Sequence, residues 1–445
     1  MSIDAPASAQ SQAPGAAVPA GAVAPGKSLN LLMVAFHFPP IAGGSGYLRT
    51  LKFAKYLPAS GVQPTLLTVK PQVYAAYDKN AKPPLPETTH VERAFALDSR
   101  RAFAIKGKSL SLFSLPDRYW TWVPFAVAAG RRLIRERNID AIFSTYPIAS
   151  AHLIGLLLHR LTGKPWIADF RDPMWDEFTG AKGLSLSLRQ RIEKAVLRRC
   201  TTAMVCTDAM YDLFCRRYPD QKHKLMNIPN GFDDEDFQGL DIPASRAAGP
   251  VRLLHTGLLE PVDRDPVPFF KAVKALCERR PGPAPVVVDL IAPSDEEYYN
   301  KVIAEMGLQG VINILSWRPY KKSLEAMAAT DILLLFQGPS CFSQVPAKLY
   351  EYMRVGRPIM AITPAAGETG KLVLGTGSGR VVVHDDPEAI GKMLEEWVDS
   401  VQNGASLPKA GPEAVLRFSR SRHAQLLAAS LHQAITRKPH PGESP

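Results

Sequence analysis

Short apolar runs alternate with stretches whose apolar positions return every three or four residues, from residue 29 almost to the end of the chain. The runs "LNLLMVAF", "QPTLLTVK", "DAIFSTYP", "PWIADFRD", "TTAMVCT" and "KLMNIPNG" read as strands buried on both faces. Helical patterns near 47–59, 149–162, 185–199 and 208–217 lie between several of them. A second series follows: "VRLLHTGLL", "PVVVDLIAP", "VINILSW", "DILLLFQ", "PIMAIT" and "GRVVVH". Helices near 266–279, 296–306, 320–329, 346–355 and 367–374 separate these runs, and helical stretches near 387–401 and 412–436 come after them. Strands alternating with helices predict parallel sheets covered on both faces.

Between the two series stands "FDDEDFQGLDIPASRAAGP", polar, acidic and rich in breakers, which reads as a linker. The expected organisation is a disordered tail at 1–27, a Rossmann-like domain at 28–230 and a linker at 231–250. A second Rossmann-like domain then spans 251–411, a helix at 412–436 is placed to pack back across the domain junction, and a tail covers 437–445. The fold class is α/β, with two tandem doubly wound domains facing across a cleft. Such sheets bind ligands beyond the carboxyl ends of their strands, so the interdomain cleft is the default site.

Composition narrows the function classes. The chain has 445 residues, 46% hydrophobic and 21% charged, which suits a globular protein of two or three domains. No apolar run reaches the length of a membrane span; "SAHLIGLLLHRLTG" comes nearest and carries two His and an Arg. The opening residues lack the basic start and apolar run of a signal peptide, and a cytoplasmic location is expected. Five cysteines without metal-ligand spacing fit a reducing compartment. A formal charge of +11 favours anionic partners such as nucleotides or phospholipid headgroups. No recognisable nucleic-acid module appears, and nucleic acid is not an expected partner.

Candidate chemistry begins at "FHFPPIAGGSGYLRT", residues 36–50, between the first strand and the first helix. Gly43, Gly44 and Gly46 remove Cβ atoms, so backbone N–H groups there could approach a phosphate. The spacing is not that of the dinucleotide fingerprint, and a simple turn is the alternative. Arg49 reads as a surface or capping residue. The stretch "VPAKLYEYMRVGRPIMAIT", residues 345–363, is more specific. A carboxylate such as Glu351 is a sound bidentate acceptor for a vicinal diol.

Taken with the glycine loop, this stretch resembles the donor-binding helix of the GT-B glycosyltransferases, especially family 4. The resemblance extends over most of residues 29–435, through "IPNGFDDEDF", "LLHTGLLEPVDRDPVPFFKAV" and "GSGRVVVHDDPEAI" in the family's order. It implies sugar transfer from a nucleotide-sugar donor to an acceptor hydroxyl, with retention at the anomeric carbon and no metal or other cofactor. It further implies a lipid-linked or glycan acceptor and a role in exopolysaccharide or another cell-envelope glycan. By this resemblance Glu351 holds the donor ribose, while Gly43, Gly44, Arg264 and Lys348 face the diphosphate. Two positions depart from the family pattern. Ser343 stands eight residues before Glu351, where many members carry a further Glu, and no Lys follows Arg264 until Lys271, which leaves Lys348 to supply the second positive charge.

In the first domain, "WIADFRDPMWDE" brings Asp169, Arg171 and Asp172 to the end of a buried strand. A carboxylate there could orient or deprotonate an acceptor hydroxyl, with Asp172 slightly favoured; the alternative is a loop ion pair between Arg171 and an Asp. Tyr146 and Ser150 in "STYPIAS" are further candidates for the acceptor side. The "DED" at 234–236 lies in the linker, and the "GTGSG" at 375–379 leads into a strand, so neither reads as a metal or nucleotide site. Arg191, Lys194 and Arg198 line one face of the helix near 185–199, with Leu188, Ile192 and Val196 elsewhere. Such a helix can rest on anionic lipid at the inner face of the plasma membrane, or simply present a solvated face. Two other functions fit the same architecture: a nucleotide-sugar epimerase, and a non-catalytic sugar-nucleotide-binding assembly subunit.

Overall fold

A computed structural model describes residues 28–42, 46–79, 83–104, 114–177, 179–243, 249–261 and 263–436. Gly43 and Gly44, and both predicted tails, lie outside these residues. Among the described residues the strands form two sheets, one of seven and one of six, and every neighbouring pair is parallel. The first sheet holds β1 (Leu29–Val34), β2 (Val62–Val69), β3 (His90–Ala94), β4 (Ala141–Thr145), β5 (Trp166–Asp169), β6 (Thr202–Val205) and β7 (Leu225–Asn227), in the order β3-β2-β1-β4-β5-β6-β7. The second holds β8 (Val251–Thr256), β9 (Val286–Ile291), β10 (Ile312–Leu315), β11 (Ile332–Phe336), β12 (Ile359–Ile362) and β13 (Gly379–Val382), in the order β10-β9-β8-β11-β12-β13. The central strands are continuous apolar runs because helices cover both of their faces: Leu31 to Val34 and Ile332 to Leu335 are buried.

Several elements are additional to the sequence reading. β3 is an edge strand with the polar pattern "HVERA", and a long helix, Trp122–Glu136, packs against β2 and β3. The order reverses between β1 and β4 in the first sheet and between β8 and β11 in the second. Loops that leave adjacent strands there diverge to opposite faces and open a crevice, which is where ligands of such sheets bind.

The connection between the sheets is pinned from both sides. Gly231 runs so close to residue 418 that an added Cβ would lie 1.9 Å from the Phe418 carbonyl oxygen. The Arg420 amide donates to Phe232 O at 2.9 Å, and the Phe232 amide to Phe418 O at 3.2 Å. Asp233 takes Lys52 and the Tyr56 hydroxyl, Glu235 takes Lys55, and Asp234 pairs with Arg354 at 3.1 Å. The acidic "DED" run therefore faces cations of the helices Leu48–Tyr56 and Ala347–Val355, one from each domain. The last helix, Arg420–Thr436, sets Leu427, Ala428 and Leu431 into one apolar cluster with Leu51, Ala54 and Leu57 of the first domain.

Candidate active site

At the carboxyl end of β5 the chain places Asp169 inward. Its carboxylate is fully buried and accepts from Arg49 Nε and Nη2 at 3.1 Å each and from Thr145 Oγ1 at 2.8 Å. Arg49 is buried as well, and its remaining donors reach Ile228 O at 2.9 Å and Pro229 O at 2.8 Å. This corrects two expectations. Arg49 is not a surface or capping residue, and Asp169 is not free to meet an acceptor; the pair ties the first helix to β5 and to the chain after β7. The bidentate geometry and the satisfied donors are what make such a buried charge tolerable.

Arg171 and Asp172 face the cleft. They line a cavity with Thr207, Asn230, Ser343 and Gln344, so both domains contribute to it. The Arg171 guanidinium donates to the Gly46 carbonyl rather than forming the anticipated loop ion pair. Burial pushes the Asp172 carboxyl up from the ordinary carboxylate range; Arg171 opposes this, while Asp176 and Asp169 add to it. An added Cβ at Gly46 would meet no heavy atom within 4 Å, so this part of the glycine loop borders open space. Of the other two candidates, Tyr146 lines a small cavity with His37, Thr50 and Arg171. Ser150 is committed elsewhere: its amide and hydroxyl donate to Asp117 at 2.7 and 2.8 Å. His37, not singled out from the sequence, is pushed down to about 4 by burial and by Arg171 and Arg118, so its imidazole is neutral near pH 7.

Across the cleft, Gly257 follows β8 with φ +100°, a conformation side-chain-bearing residues rarely adopt. An added Cβ would lie 2.1 Å from Lys348 Nζ, so the glycine is the space in which the ammonium group sits. Burial and the nearby Arg264 push the Lys348 ammonium down to about 8, with Glu351 opposing. Glu351 lies one helical turn further on, and its Oε1 accepts from the Tyr320 hydroxyl at 3.0 Å. Burial raises the Glu351 carboxyl, and Tyr320, Lys348 and Arg420 work against that rise. Arg264 is partly exposed and 3.8 Å from Glu260. The helix that carries Lys348 and Glu351 starts at Ala347 after Pro346 without a side-chain cap, so its first amides also point outward.

Three further residues escaped the sequence reading. Tyr320 orients Glu351. Trp317, in the loop after β10 and three residues before Tyr320, leaves 75% of its surface exposed. Arg420, from the last helix, is pushed down to about 10 by burial and by the cations Arg49 and Arg171, while Glu351 and Tyr320 pull it back. Arg420 thus lies within electrostatic reach of both Arg171 and Glu351. The cleft is bridged at one edge, where Thr207 Oγ1 donates to Ser343 O at 2.9 Å and the Asp208 amide to Glu368 Oε2 at 3.1 Å.

The arrangement is therefore a cleft with cations on both walls, a carboxylate poised by a phenol, and a second, desolvated carboxylate opposite. Residues 46–231 match the family model of the glycosyl transferase 4-like domain. No curated protein sequence matches the chain significantly. Among solved structures, Anabaena HepE in complex with UDP superposes with a TM-score of 0.64 at 17% identity, over 91% of this chain and 100% of that one. Sucrose-phosphate synthase from Thermosynechococcus elongatus gives 0.61 at 16% identity, over 91% and 98%. WaaG, a glycosyltransferase involved in lipopolysaccharide biosynthesis, gives 0.54 at 14% identity, over 92% and 97%. At these identities the likeness is one of fold. The chain therefore has the two-domain GT-B fold, and residues 46–231 of it match the glycosyl transferase 4-like domain. Its N-terminal domain is of the glycosyl transferase 4-like type.

Proposed function

We propose that the protein transfers a sugar from a nucleotide-sugar donor to an acceptor hydroxyl, with retention, in the synthesis of an exopolysaccharide or another cell-envelope glycan. The observation that carries this reading is the placement of Lys348 and Glu351 one turn apart on a helix that begins just after Ser343, Gln344 and Val345, which line a cavity with Arg171 and Asp172. Glu351, oriented by Tyr320, accepts hydrogen bonds from the donor ribose. Lys348, Arg264 and the amides at the helix start stabilise the diphosphate, a role we extend to Gly43 and Gly44. Negative charge grows there as the bond between the anomeric carbon and the phosphate oxygen breaks, and fixed positive groups act most strongly at that stage. The acceptor oxygen bonds to the anomeric carbon on the departing face, and its proton passes to the leaving diphosphate oxygen. Asp172 orients that hydroxyl. The HepE structures, which hold UDP and UDP-glucose, make a uridine donor the first choice of probe. WaaG's part in lipopolysaccharide synthesis agrees with an envelope acceptor, lipid-linked or glycan.

Isotope-labelled nucleotide sugars incubated with the protein and a membrane extract test the reaction. Label recovered in lipid or glycan is the expected result. Epimerised free donor, or donor bound without turnover, would replace this reading by an epimerase or an assembly subunit.

A further inference from the structure

The last helix brings to the cleft a guanidinium that no other side chain holds. Arg420, its first residue, is only 8% exposed. Among the described residues no carboxylate pairs with its side chain, and no group accepts a hydrogen bond from it. Its neighbours are committed elsewhere. Arg49 is taken up by Asp169 and by the carbonyls of Ile228 and Pro229. Arg171 donates to the Gly46 carbonyl. Glu351 accepts from the Tyr320 hydroxyl, and Asp236, in the connection between the domains, lies 3.5 Å from Lys52. His423, on the same helix, is pushed down to about 3 by burial and by Arg49 and Arg420, so it is neutral and adds no charge of either sign.

These surroundings ask for an anion. Burial withdraws water from Arg420, and Arg49 and Arg171 crowd it with like charge; Glu351 and Tyr320 do not make up the difference. A buried charge in that position weighs against the fold until a partner completes it. The planar fork of a guanidinium suits the oxygens of a phosphate or carboxylate. Position selects the phosphate. A nucleotide sugar carries its diphosphate between its ribose and its sugar. With the ribose at Glu351 and the transfer beside Arg171 and Asp172, Arg420 lies within reach of both ends and so alongside the link between them. Lys348 and Arg264 approach that link from the second domain. Arg420 comes instead from a helix whose Leu427, Ala428 and Leu431 pack on the first domain. A distant segment thus makes good the Lys that is missing after Arg264.

We infer that Arg420 binds the diphosphate of the nucleotide donor. The inference rests on the donor reading above, with the ribose at Glu351. The test is titration calorimetry of the full chain with UDP and with pyrophosphate, alongside the melting temperature of the ligand-free protein. Pyrophosphate has no nucleoside, so that arm reads Arg420 whether or not the base is uracil. Arg420→Met keeps an unbranched stem without charge, and Arg420→Lys keeps the charge without the fork. Both anions should bind Arg420→Met at least about tenfold more weakly than the parent, with Arg420→Lys between. Ligand-free Arg420→Met should melt at or above the parent, because the charge it loses is one that folding disfavours. Parent-like affinity of Arg420→Met for UDP would overturn the inference and leave the donor reading standing. A parent that binds neither anion would overturn both. Ligand-free Arg420→Met melting well below the parent would also overturn the inference, since Arg420 would then be a structural tie.

Discussion

Asp169→Asn separates a structural carboxylate from a chemical one. The change keeps the shape of the side chain and removes its charge. Arg49 then stays buried with a weaker acceptor in place of the carboxylate that now takes two of its donors at 3.1 Å, and only the carbonyls of Ile228 and Pro229 remain unchanged. Breaking a buried pair by altering one partner costs about 3–5 kcal/mol, and the lower end applies because Asn still accepts hydrogen bonds. For a domain of this size each kcal/mol moves the melting temperature by about 2–4 °C, so the first domain should melt about 6–12 °C lower. Differential scanning calorimetry reads that transition. Asp172→Asn, three residues away and partly exposed in the cleft, should leave it within about 2 °C while lowering kcat in the labelled-donor assay. An Asp169→Asn protein with unchanged melting and no turnover would refute the reasoning and return Asp169 to the acceptor.

The donor side yields two more expectations. Gly257→Ala places a methyl where Lys348 Nζ now lies and imposes a positive φ on alanine, a strain of about 1–3 kcal/mol; nucleotide-sugar affinity should fall about tenfold by calorimetry, with unchanged circular dichroism. Lys348 titrates near 8, below its ordinary 10.5. Below pH 8 both folded and unfolded chains hold the proton, and the burial penalty is fully present. Between about 8 and 10.5 the folded chain has released it first, so this group's contribution to stability rises with pH while donor affinity falls up to about tenfold per unit. A flat affinity profile from pH 7 to 9.5 would remove Lys348 from the diphosphate.

Much of the architecture was legible because central parallel strands are apolar on both faces, and runs such as "LNLLMVAF" and "DILLLFQ" announce themselves. β3 did not, because this edge strand carries the polar His90, Glu92 and Arg93 and so lacks that signature. The Trp122–Glu136 helix was obscured by Pro124 in its first turn and by Gly130, where an added Cβ would lie 2.7 Å from the Leu158 side chain. Within the site, Glu351 and Lys348 were legible through a family resemblance carried by contiguous residues. Arg49 was not, since its partner Asp169 is 120 residues away and local periodicity says nothing of which distant strand end a helix will meet. Gly257 and Tyr320 were hidden for the same reason: their purpose lies in Lys348 and Glu351, which only the folded sheet brings beside them.

The central claim is that the helix beginning at Ala347 binds the nucleoside of a donor through Glu351. Titration calorimetry of a nucleotide sugar, UDP-glucose first, against the wild-type chain and Glu351→Ala measures it directly. Hydrogen bonds to a charged acceptor are worth about 1.5–3 kcal/mol each, so the variant should bind at least about tenfold more weakly while melting close to the parent. Equal affinity in the two proteins would contradict the assignment.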